Sequence, residues 1–352
     1  MKTKLRILLW LCLLLVSCTP KASEQTLTIM THDSFAVSED VVKAFETQNN
    51  VGLVFLKSGD TGTMLNRAVL TKDSPQADIL YGVDNTFLSR AIEEGIFEPY
   101  KSPLLASVGD DFKENLAGMV TPISFGDVCI NYDKHFFSSR SLAVPQTLDD
   151  LLKPEYGEST SEVPLLVVEN PATSSPGLAF LLATVAEYGE DGYLEFWQGL
   201  KDNGVVVVND WDTAYYTNFS ASSGKGLQPM VVSYATSPAA EVIYASTPLT
   251  ESPTASIIGE NTCFRQIEYS GILKGTKNLE LAQKFIDFML DVQFQEDIPL
   301  QMFMYPVNNN ASLPTEFEKY AQAASDPAVL DSTLISEKRD QWINEWTEVM
   351  LH

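Results

Sequence analysis

Residues 27–35 read LTIMTHDSF, a short apolar run that ends in polar and aromatic side chains. Similar runs recur along the chain, and between them apolar residues recur at helical spacing. Strands alternating with helices predict an α/β fold with mainly parallel sheets flanked by helices. The predicted strands span residues 27–30, 51–56, 78–83, 128–132, 165–168, 205–208 and 230–234.

Apolar stripes between and after these strands predict the helices. Trp342 and Trp346 lie four residues apart in the last of them, a spacing typical of a buried helix face, so we expect both to pack in the core. The chain of 352 residues is longer than one hydrophobic core usually holds, which predicts two lobes. The predicted helices include residues 41–45, 64–69, 87–92, 279–290 and 336–351, and another begins near residue 178.

The N-terminus has the pattern of a secretory signal peptide, residues 1–17. Three basic residues, Lys2, Lys4 and Arg6, precede an uncharged apolar run at residues 7–16. A membrane-spanning helix needs about 20 apolar residues, so this run is too short to span a bilayer. We therefore predict that the chain is exported and that its leader is removed.

The leader ends in Leu-Val-Ser-Cys at residues 15–18, which resembles the bacterial lipobox. That resemblance implies a lipid on Cys18 and a tether at residues 18–25 that holds the protein at the outer face of the cytoplasmic membrane. The alternative is an ordinary signal peptide cleaved near Ala22, with Cys18 lost.

The chain is strongly acidic, with a formal net charge of -24. The leader carries three of the 23 Lys and Arg residues, and its loss would make the charge more negative. The negative electrostatic potential of such a protein repels polyanions and attracts cations, which excludes nucleic acid as a partner.

Two cysteines, Cys129 and Cys263, lie beyond the N-terminal segment. In an exported protein they could form a disulfide, and two buried free thiols are equally compatible with the sequence. The three histidines and the cysteines lack zinc-type spacing, so no metal site is predicted.

Polar and aromatic residues follow six of the predicted strands. In open α/β sheets ligands bind beyond the carboxyl ends of the strands, so these segments together predict a ligand cleft. Ser174-Ser175-Pro176 also marks a helix start that could hold a phosphate, although plain helix capping explains it as well. The six segments are residues 31–35, 58–63, 84–85, 169–177, 209–212 and 233–238.

Nine segments of this chain resemble, in the same order, segments of the bacterial periplasmic thiamine-binding proteins. They are Thr-His-Asp-Ser-Phe at 31–35, Leu-Asn-Arg at 65–67, residues 77–85, Asn-Tyr-Asp-Lys at 131–134, Thr-Ser-Ser-Pro-Gly at 173–177, residues 233–239, residues 281–285, Met-Tyr-Pro-Val at 304–307 and residues 341–346.

The resemblance implies a two-lobed type II periplasmic-binding-protein fold with a ligand cleft at the hinge. Lobe 1 would comprise residues 26–124 and about 256–305, and lobe 2 residues 125–255 and about 306–352. It also implies a monomeric binding protein, not an enzyme and without a cofactor. Its transported ligand would be thiamine, thiamine monophosphate or thiamine diphosphate, delivered to the permease subunits of an ABC transporter.

The same resemblance implies a set of ligand-binding residues. Trp211 and Tyr234 would offer π-faces to a cation, Asp60 a counter-charge, and Ser174 and Ser175 a site for the hydroxyethyl arm or its phosphate. This chain has His32 where the family has Tyr, and Ala240 where an aromatic is usual. The full predicted set is His32, Asp33, Asp60, Thr61, Ser174, Ser175, Trp211, Tyr234, Ala235, Thr236 and Ser237.

Three rival functions are compatible with parts of the sequence. A polyamine would suit the acidity and the aromatics. Ferric iron is suggested by Tyr215-Tyr216, but no carboxylate or His that would match them as a ligand set lies nearby in sequence, and neighbouring strand residues point to opposite faces. A thiaminase-like enzyme would need Cys129 as its nucleophile, and its apolar surroundings, Val128 and Ile130, disfavour a thiolate.

Overall fold

The computed structural model describes residues 25–113, 118–157, 163–222 and 226–352. The predicted leader, Cys18 and nearly all of the tether lie outside these ranges. In the part of the chain that is described, no helix has both the length and the apolar character needed to cross a membrane.

Within the described ranges, the strands form one sheet of 11 strands. Along its main path the order is β2-β1-β3-β10-β5-β8-β6-β7; β4 pairs with β10, and β9 and β11 pair with β5. The strands are β1 Thr26–Thr31, β2 Gly52–Lys57, β3 Ile79–Asp84, β4 Phe97–Glu98, β5 Thr121–Asp133, β6 Leu166–Glu169, β7 Val206–Val208, β8 Met230–Tyr234, β9 Thr254–Ile257, β10 Phe264–Leu273 and β11 Tyr305–Pro306.

The sheet is mixed rather than mainly parallel, which corrects the prediction on that point. At one end β2, β1 and β3 are parallel, and at the other β7, β6 and β8 are parallel. Between them β10 and β5 run antiparallel to each other and to their neighbours β3 and β8. The seven predicted strands are all present, whereas β4, β9, β10 and β11 were not predicted. The predicted lobe boundaries stay a prediction.

The helices are α1 Glu39–Asn49, α2 Thr61–Leu70, α3 Leu88–Glu93, α4 Lys134–Arg140, α5 Ser175–Asp202, α6 Ser237–Ile243, α7 Leu279–Leu290, α8 Val292–Gln301, α9 Thr315–Tyr320 and α10 Ser332–Leu351. Five of the helices, α1, α2, α4, α8 and α10, begin where a short polar side chain accepts a free N–H group of the first turn. Asp331 accepts from the N–H groups of Thr333 and Leu334, so the last helix begins at Ser332, earlier than predicted.

Helices cover both faces of the sheet. Leu27 and Ile29 of β1 pack with α1 and α7, while Met30 belongs to the core on the opposite face, because successive side chains of a strand alternate. Trp342 and Trp346 are fully buried, and Trp346 meets Trp197 of α5 edge-on with ring centroids 5.5 Å apart. Their predicted role in packing is confirmed.

Cys129 of β5 and Cys263, which directly precedes β10, form a disulfide. Both residues are fully buried. Of the two arrangements that the sequence left open, the structure has the bonded one, and it joins the two antiparallel strands at the centre of the sheet.

Candidate ligand-binding site

A cavity of about 280 Å³ lies where the carboxyl ends of several parallel strands meet. His32 follows β1, Asp60 follows β2, Trp211 follows β7 and Tyr234 ends β8. The segment after α8, residues 301–304, covers another side. The predicted location of the cleft, beyond the strand ends, agrees with this geometry.

Asp60 connects two sides of the cavity. Its Oδ1 accepts a hydrogen bond from the Thr61 N–H at 2.8 Å, which caps α2, and its Oδ2 accepts one from the Trp211 N–H at 3.2 Å. Burial raises the pKa of Asp60, although the Ser174 hydroxyl and the charge of His32 favour its ionised form. A cation in the cavity would favour that ionised form further.

His32 and Glu268 form a buried pair on the same wall. The His32 Nε2 lies 3.3 Å from the Glu268 Oε1, and the Ser124 hydroxyl donates to the Glu268 Oε2 at 2.8 Å. Burial disfavours the charged forms of both His32 and Glu268. The interaction with Glu268 nevertheless raises the pKa of His32 above its usual value. His32 and the hydroxyls of Ser124 and Tyr81 likewise lower the pKa of Glu268.

Gly82 makes room for the His32 ring. A Cβ at this position would lie 2.3 Å from the His32 Cδ2, and the backbone φ of +94° is one that L side chains rarely adopt. Any larger residue at 82 would therefore displace the His32 ring from Glu268.

Aromatic rings form the opposite wall. The Trp211 ring stacks on Tyr215 with centroids 5.0 Å apart and meets Tyr216 edge-on at 5.4 Å. The Trp211 indole N–H donates to the Ser233 hydroxyl at 3.0 Å. The Tyr234 hydroxyl accepts from the Gln266 amide at 3.0 Å. These bonds fix the ring planes, so the wall is pre-organised for a flat or cationic ligand.

Phe303 completes the aromatic lining under backbone strain. Its φ is +55°, in the left-handed region, and its ring meets that of Tyr244 edge-on at 5.5 Å. A non-glycine residue in this conformation costs roughly 1–2 kcal/mol. Strain of this kind is concentrated at functional sites, and Phe303 lines the cavity.

A second, more open cavity of about 600 Å³ adjoins the first. We call it the outer cavity; it shares Trp211, Tyr216 and Phe303 with the inner one. Ala240, the position where the resembling proteins usually have an aromatic, lines it. Glu241 also lines it and accepts from the Tyr215 hydroxyl at 2.6 Å.

Glu169, at the end of β6, is a buried carboxyl behind the site. Neither of its oxygens has a hydrogen-bond partner within the described residues, and it does not line the cavity. Burial raises the pKa of Glu169 well above its usual value. Burial therefore disfavours the ionised form of Glu169.

The structure brings seven of the eleven predicted site residues into the lining of the inner cavity. They come from five segments at strand ends and helix starts, which explains how residues far apart in sequence converge. The seven are His32, Asp60, Thr61, Ser175, Trp211, Tyr234 and Ser237.

The other four predicted residues do not line the inner cavity. Asp33 accepts from the Gly59 N–H at 2.9 Å and so holds the turn before Asp60. Ser174, Ala235 and Thr236 are fully buried. Helix starts and turns place adjacent side chains on different sides, so a contiguous motif cannot line a cavity throughout.

Several lining residues were not predicted, above all Glu268, Tyr244 and Phe303. Glu268 was not predicted because strand β10, which contains it, was not predicted. Residues 264–273 of β10 alternate partly between apolar and polar types, and this pattern could have indicated a strand.

The sequence analysis argued against an iron site because suitable ligands do not lie close to Tyr215 and Tyr216 in sequence, and that argument was wrong. Folding brings Tyr216, His32, Asp60 and Glu268 to one cavity. However, His32 pairs with Glu268. Within the described ranges, no three His, Cys, Asp or Glu side chains are grouped as a metal site.

The profile of the bacterial extracellular solute-binding protein family matches residues 74–325. The chain belongs to this family. This solute-binding protein is 31% identical over 343 residues to the thiamine-binding periplasmic protein of Escherichia coli strain K12, covering 95% of this chain and 96% of the relative. The predicted resemblance is thereby confirmed.

Two further comparisons define the fold and the breadth of the family. A solved structure named periplasmic thiamin binding protein matches with a TM-score of 0.80 and 29% identity, over 92% of this chain and 96% of that one. The predicted two-lobed type II fold is confirmed. A more distant relative, iron uptake protein A1 of Synechocystis, is 22% identical over 90% of this chain and 85% of its own length.

Proposed function

We propose that this solute-binding protein captures thiamine outside the cytoplasm and delivers it to an ABC importer. The observation that carries the proposal is the inner cavity, whose lining combines the carboxylates of Asp60 and Glu268 with several aromatic rings. Such a cavity suits an aromatic organic cation. The named relatives support the same ligand class.

Thiamine fits both walls chemically. Its thiazolium carries a positive charge, and its aminopyrimidine can stack and donate hydrogen bonds. Asp60 and Glu268 offer buried acceptors, and Trp211 and Tyr234 offer π-faces. Closing the cleft over the ligand would bury both rings and create the surface that the permease subunits recognise.

A polyamine is the weaker candidate for the same cavity. It would use the carboxylates, but its flexible aliphatic chain would gain little from the ordered stack of Trp211 on Tyr215. A polyamine should therefore be included in the binding test as a competitor of thiamine.

A thiaminase-like reaction through Cys129 has little support in the geometry. Cys129 is fully buried, bonded to Cys263 and absent from the lining of the cavity. Nucleophilic attack needs an accessible thiolate with a base in reach. We expect no turnover of thiamine, measured as product formation over hours with a stoichiometric excess of ligand.

The identity of the ligand is tested by identifying the small molecule that remains bound to the protein through purification. The exported product of the full chain, purified without added ligand, is denatured and its extract analysed by mass and by thiochrome fluorescence. We expect thiamine at a substantial fraction of one equivalent. A polyamine or ferric iron in its place would overturn the proposal.

Export and anchoring at Cys18 are tested separately. We expect fatty-acid label in the membrane-associated protein and none in the Cys18→Ala variant. Label that persists in that variant would contradict the anchor and leave the ligand assignment intact.

A further inference from the structure

The outer and inner cavities share part of their lining. The shared residues are Trp211, Tyr216, Ser237, Tyr244 and Phe303. Most of these are aromatic, so a ligand ring held in the inner cavity and a substituent that reaches the outer one would contact the same side chains. The two cavities are therefore adjacent compartments of one cleft.

The outer cavity is the larger compartment. Its volume is about 600 Å³, against about 280 Å³ for the inner one. Ligand pockets in proteins typically measure about 300 to 1,000 Å³, so the inner cavity is near the lower limit and the outer one can hold a substantial group. Ala240 contributes to this size, because α6 presents only a methyl group to the outer cavity there.

Two rings of the outer cavity are available to an occupant. Tyr216 is 48% exposed and Tyr244 is 58% exposed, although both line the cavity. A substituent that covers these rings removes apolar surface from water, which favours binding.

Glu241 gives the outer cavity an acceptor for hydrogen bonds. Its carboxylate accepts from the Tyr215 hydroxyl at 2.6 Å, and a carboxylate has room for several donors. Burial raises the pKa of Glu241, while the Tyr215 hydroxyl favours its ionised form. A positive charge beside it would favour that form further. The hydroxyls of Ser246 and Thr247 also line the cavity, so the lining suits a cationic group that donates hydrogen bonds.

The start of α5 indicates which end of the ligand is nearest the outer cavity. In the described part of the chain, Ser175 and Pro176 belong to the inner lining alone. The hydroxyethyl arm of thiamine is predicted to lie at Ser175. We therefore place the aminopyrimidine, at the other end of the molecule, nearest the outer cavity.

We infer that the outer cavity is an extension of the ligand site and admits a positively charged substituent on the aminopyrimidine. The inference rests on the proposed function and adds to it a ligand class, thiamine-like cations that are larger than thiamine. In such a ligand both rings occupy the inner cavity, the substituent passes beside Tyr216 and Tyr244, and its end contacts Glu241. Ala240 is the residue whose small side chain leaves space for it.

The test compares thiamine with two analogues, in which the methyl group on the pyrimidine is replaced by a terminal aminobutyl chain or by a pentyl chain of the same length. Each is titrated calorimetrically into the exported full-chain product after any retained ligand is removed. We expect the aminobutyl analogue to bind at least as tightly as thiamine, and about tenfold more tightly than the pentyl analogue, because only the amine pairs with Glu241.

The outcomes separate the inference from the proposed function. Thiamine binding with a loss of at least a hundredfold for both analogues would show that the site ends at the inner cavity. That result would overturn the inference and leave the proposed function intact. Failure of thiamine itself to bind the folded protein would overturn both.

Ala240→Tyr tests whether the space is used. The added ring fills part of the outer cavity and should lower the ratio of aminobutyl-analogue affinity to thiamine affinity at least tenfold. Ala106→Tyr, which adds the same ring at an exposed position, should leave this ratio unchanged. An unchanged ratio in Ala240→Tyr, with its melting temperature near that of the parent, would contradict the inference.

Glu241→Gln tests the charge without changing the shape of the cavity. The advantage of the aminobutyl analogue over the pentyl analogue should fall to less than twofold. Glu348→Gln, the same change at an exposed position of α10, should preserve the advantage. An advantage that persists in full in Glu241→Gln would show that the amine does not reach Glu241 and would overturn the inference.

Discussion

The two walls of the inner cavity differ in how they are built. The wall formed by the ends of β1 and β2 and by β10 carries Asp60, His32 and Glu268, each held by charge and hydrogen bonds. The wall formed by the loop after β7 and the end of β8 carries Trp211, which stacks on Tyr215 and donates to Ser233, and Tyr234, whose hydroxyl accepts from Gln266. One wall supplies charge and the other supplies π-faces.

This division suits a ligand that must engage both walls at once. Carboxylates alone would attract any cation, and rings alone would accept any flat apolar molecule. The two sides are in contact, because the Trp211 N–H reaches Asp60 and the Ser34 hydroxyl donates to Asp212 at 3.1 Å. We therefore expect selectivity to depend on one ligand contacting both walls.

The largest expected effect comes from removing the central ring of the aromatic wall. Trp211→Ala should weaken thiamine binding by about 3 kcal/mol, because it removes a desolvated cation–π contact and an aromatic stacking partner. The backbone N–H that reaches Asp60 remains. Calorimetry measures the loss, and Trp211→Phe, which keeps a ring, should lose less. A change below threefold in Trp211→Ala would mean that the aromatic wall does not hold the ligand.

The matching change on the charged wall is Glu268→Gln. It keeps the shape and one acceptor but removes a buried charge, and we expect a loss of about 2 kcal/mol in thiamine affinity. Glu241→Gln is the control, since Glu241 lines only the outer cavity and should change affinity less than twofold. Equal losses in the two variants would place the ligand in the outer cavity.

The pH dependence separates the effect of His32 on binding from its effect on stability. A bound cation should lower the pKa of His32, so affinity should rise with pH above about 6, by roughly tenfold for each unit of lowering. Without ligand, the raised pKa of His32 contributes stability below 6.5, and this is lost as pH rises through the folded-state value. Affinity and unliganded stability should therefore change in opposite directions.

The His32→Gln variant is the control for both trends. Titrations and melting curves between pH 6 and pH 8 should show both slopes reduced in this variant, because it has no titrating imidazole. Slopes that persist unchanged in this variant would show that groups other than His32 cause them.

The smallest effect concerns the strained residue beside the aromatic wall. Phe303→Gly and Phe303→Ala both lose the ring, but only glycine adopts the φ of +55° without cost. We expect the glycine variant to be more stable than the alanine variant by about 1 kcal/mol in denaturant unfolding. Alanine equal to or better than glycine would show that the backbone relaxes when the ring is removed.

The sequence predicted seven of the strands and much of the site. In β3 the first five residues carry no charge and the strand ends in Asp84, so both the strand and the cleft edge are visible in the sequence. It failed at β10, where Gln266 and Glu268 are buried but read as exposed positions. The polar residue types at these positions predict exposure, yet the side chains are buried because they contact Tyr234 and His32 at the site.

The positions of individual site residues could not be read from motifs. Ser174 and Ser175 are adjacent, yet only Ser175 lines the cavity. Tyr216 and His32 are far apart in sequence, yet both line it. Which side chain of a motif faces a cleft depends on helix phase and on contacts across the sheet, and neither is encoded locally.

The account is tested most directly by the dissociation constant of thiamine for the exported full-chain product, measured by calorimetry after any retained ligand is removed. It predicts 1:1 binding with a dissociation constant below about 1 µM, which corresponds to roughly 8 kcal/mol. A constant weaker than about 1 mM, or roughly 4 kcal/mol, would contradict a thiamine-capturing role for this cavity.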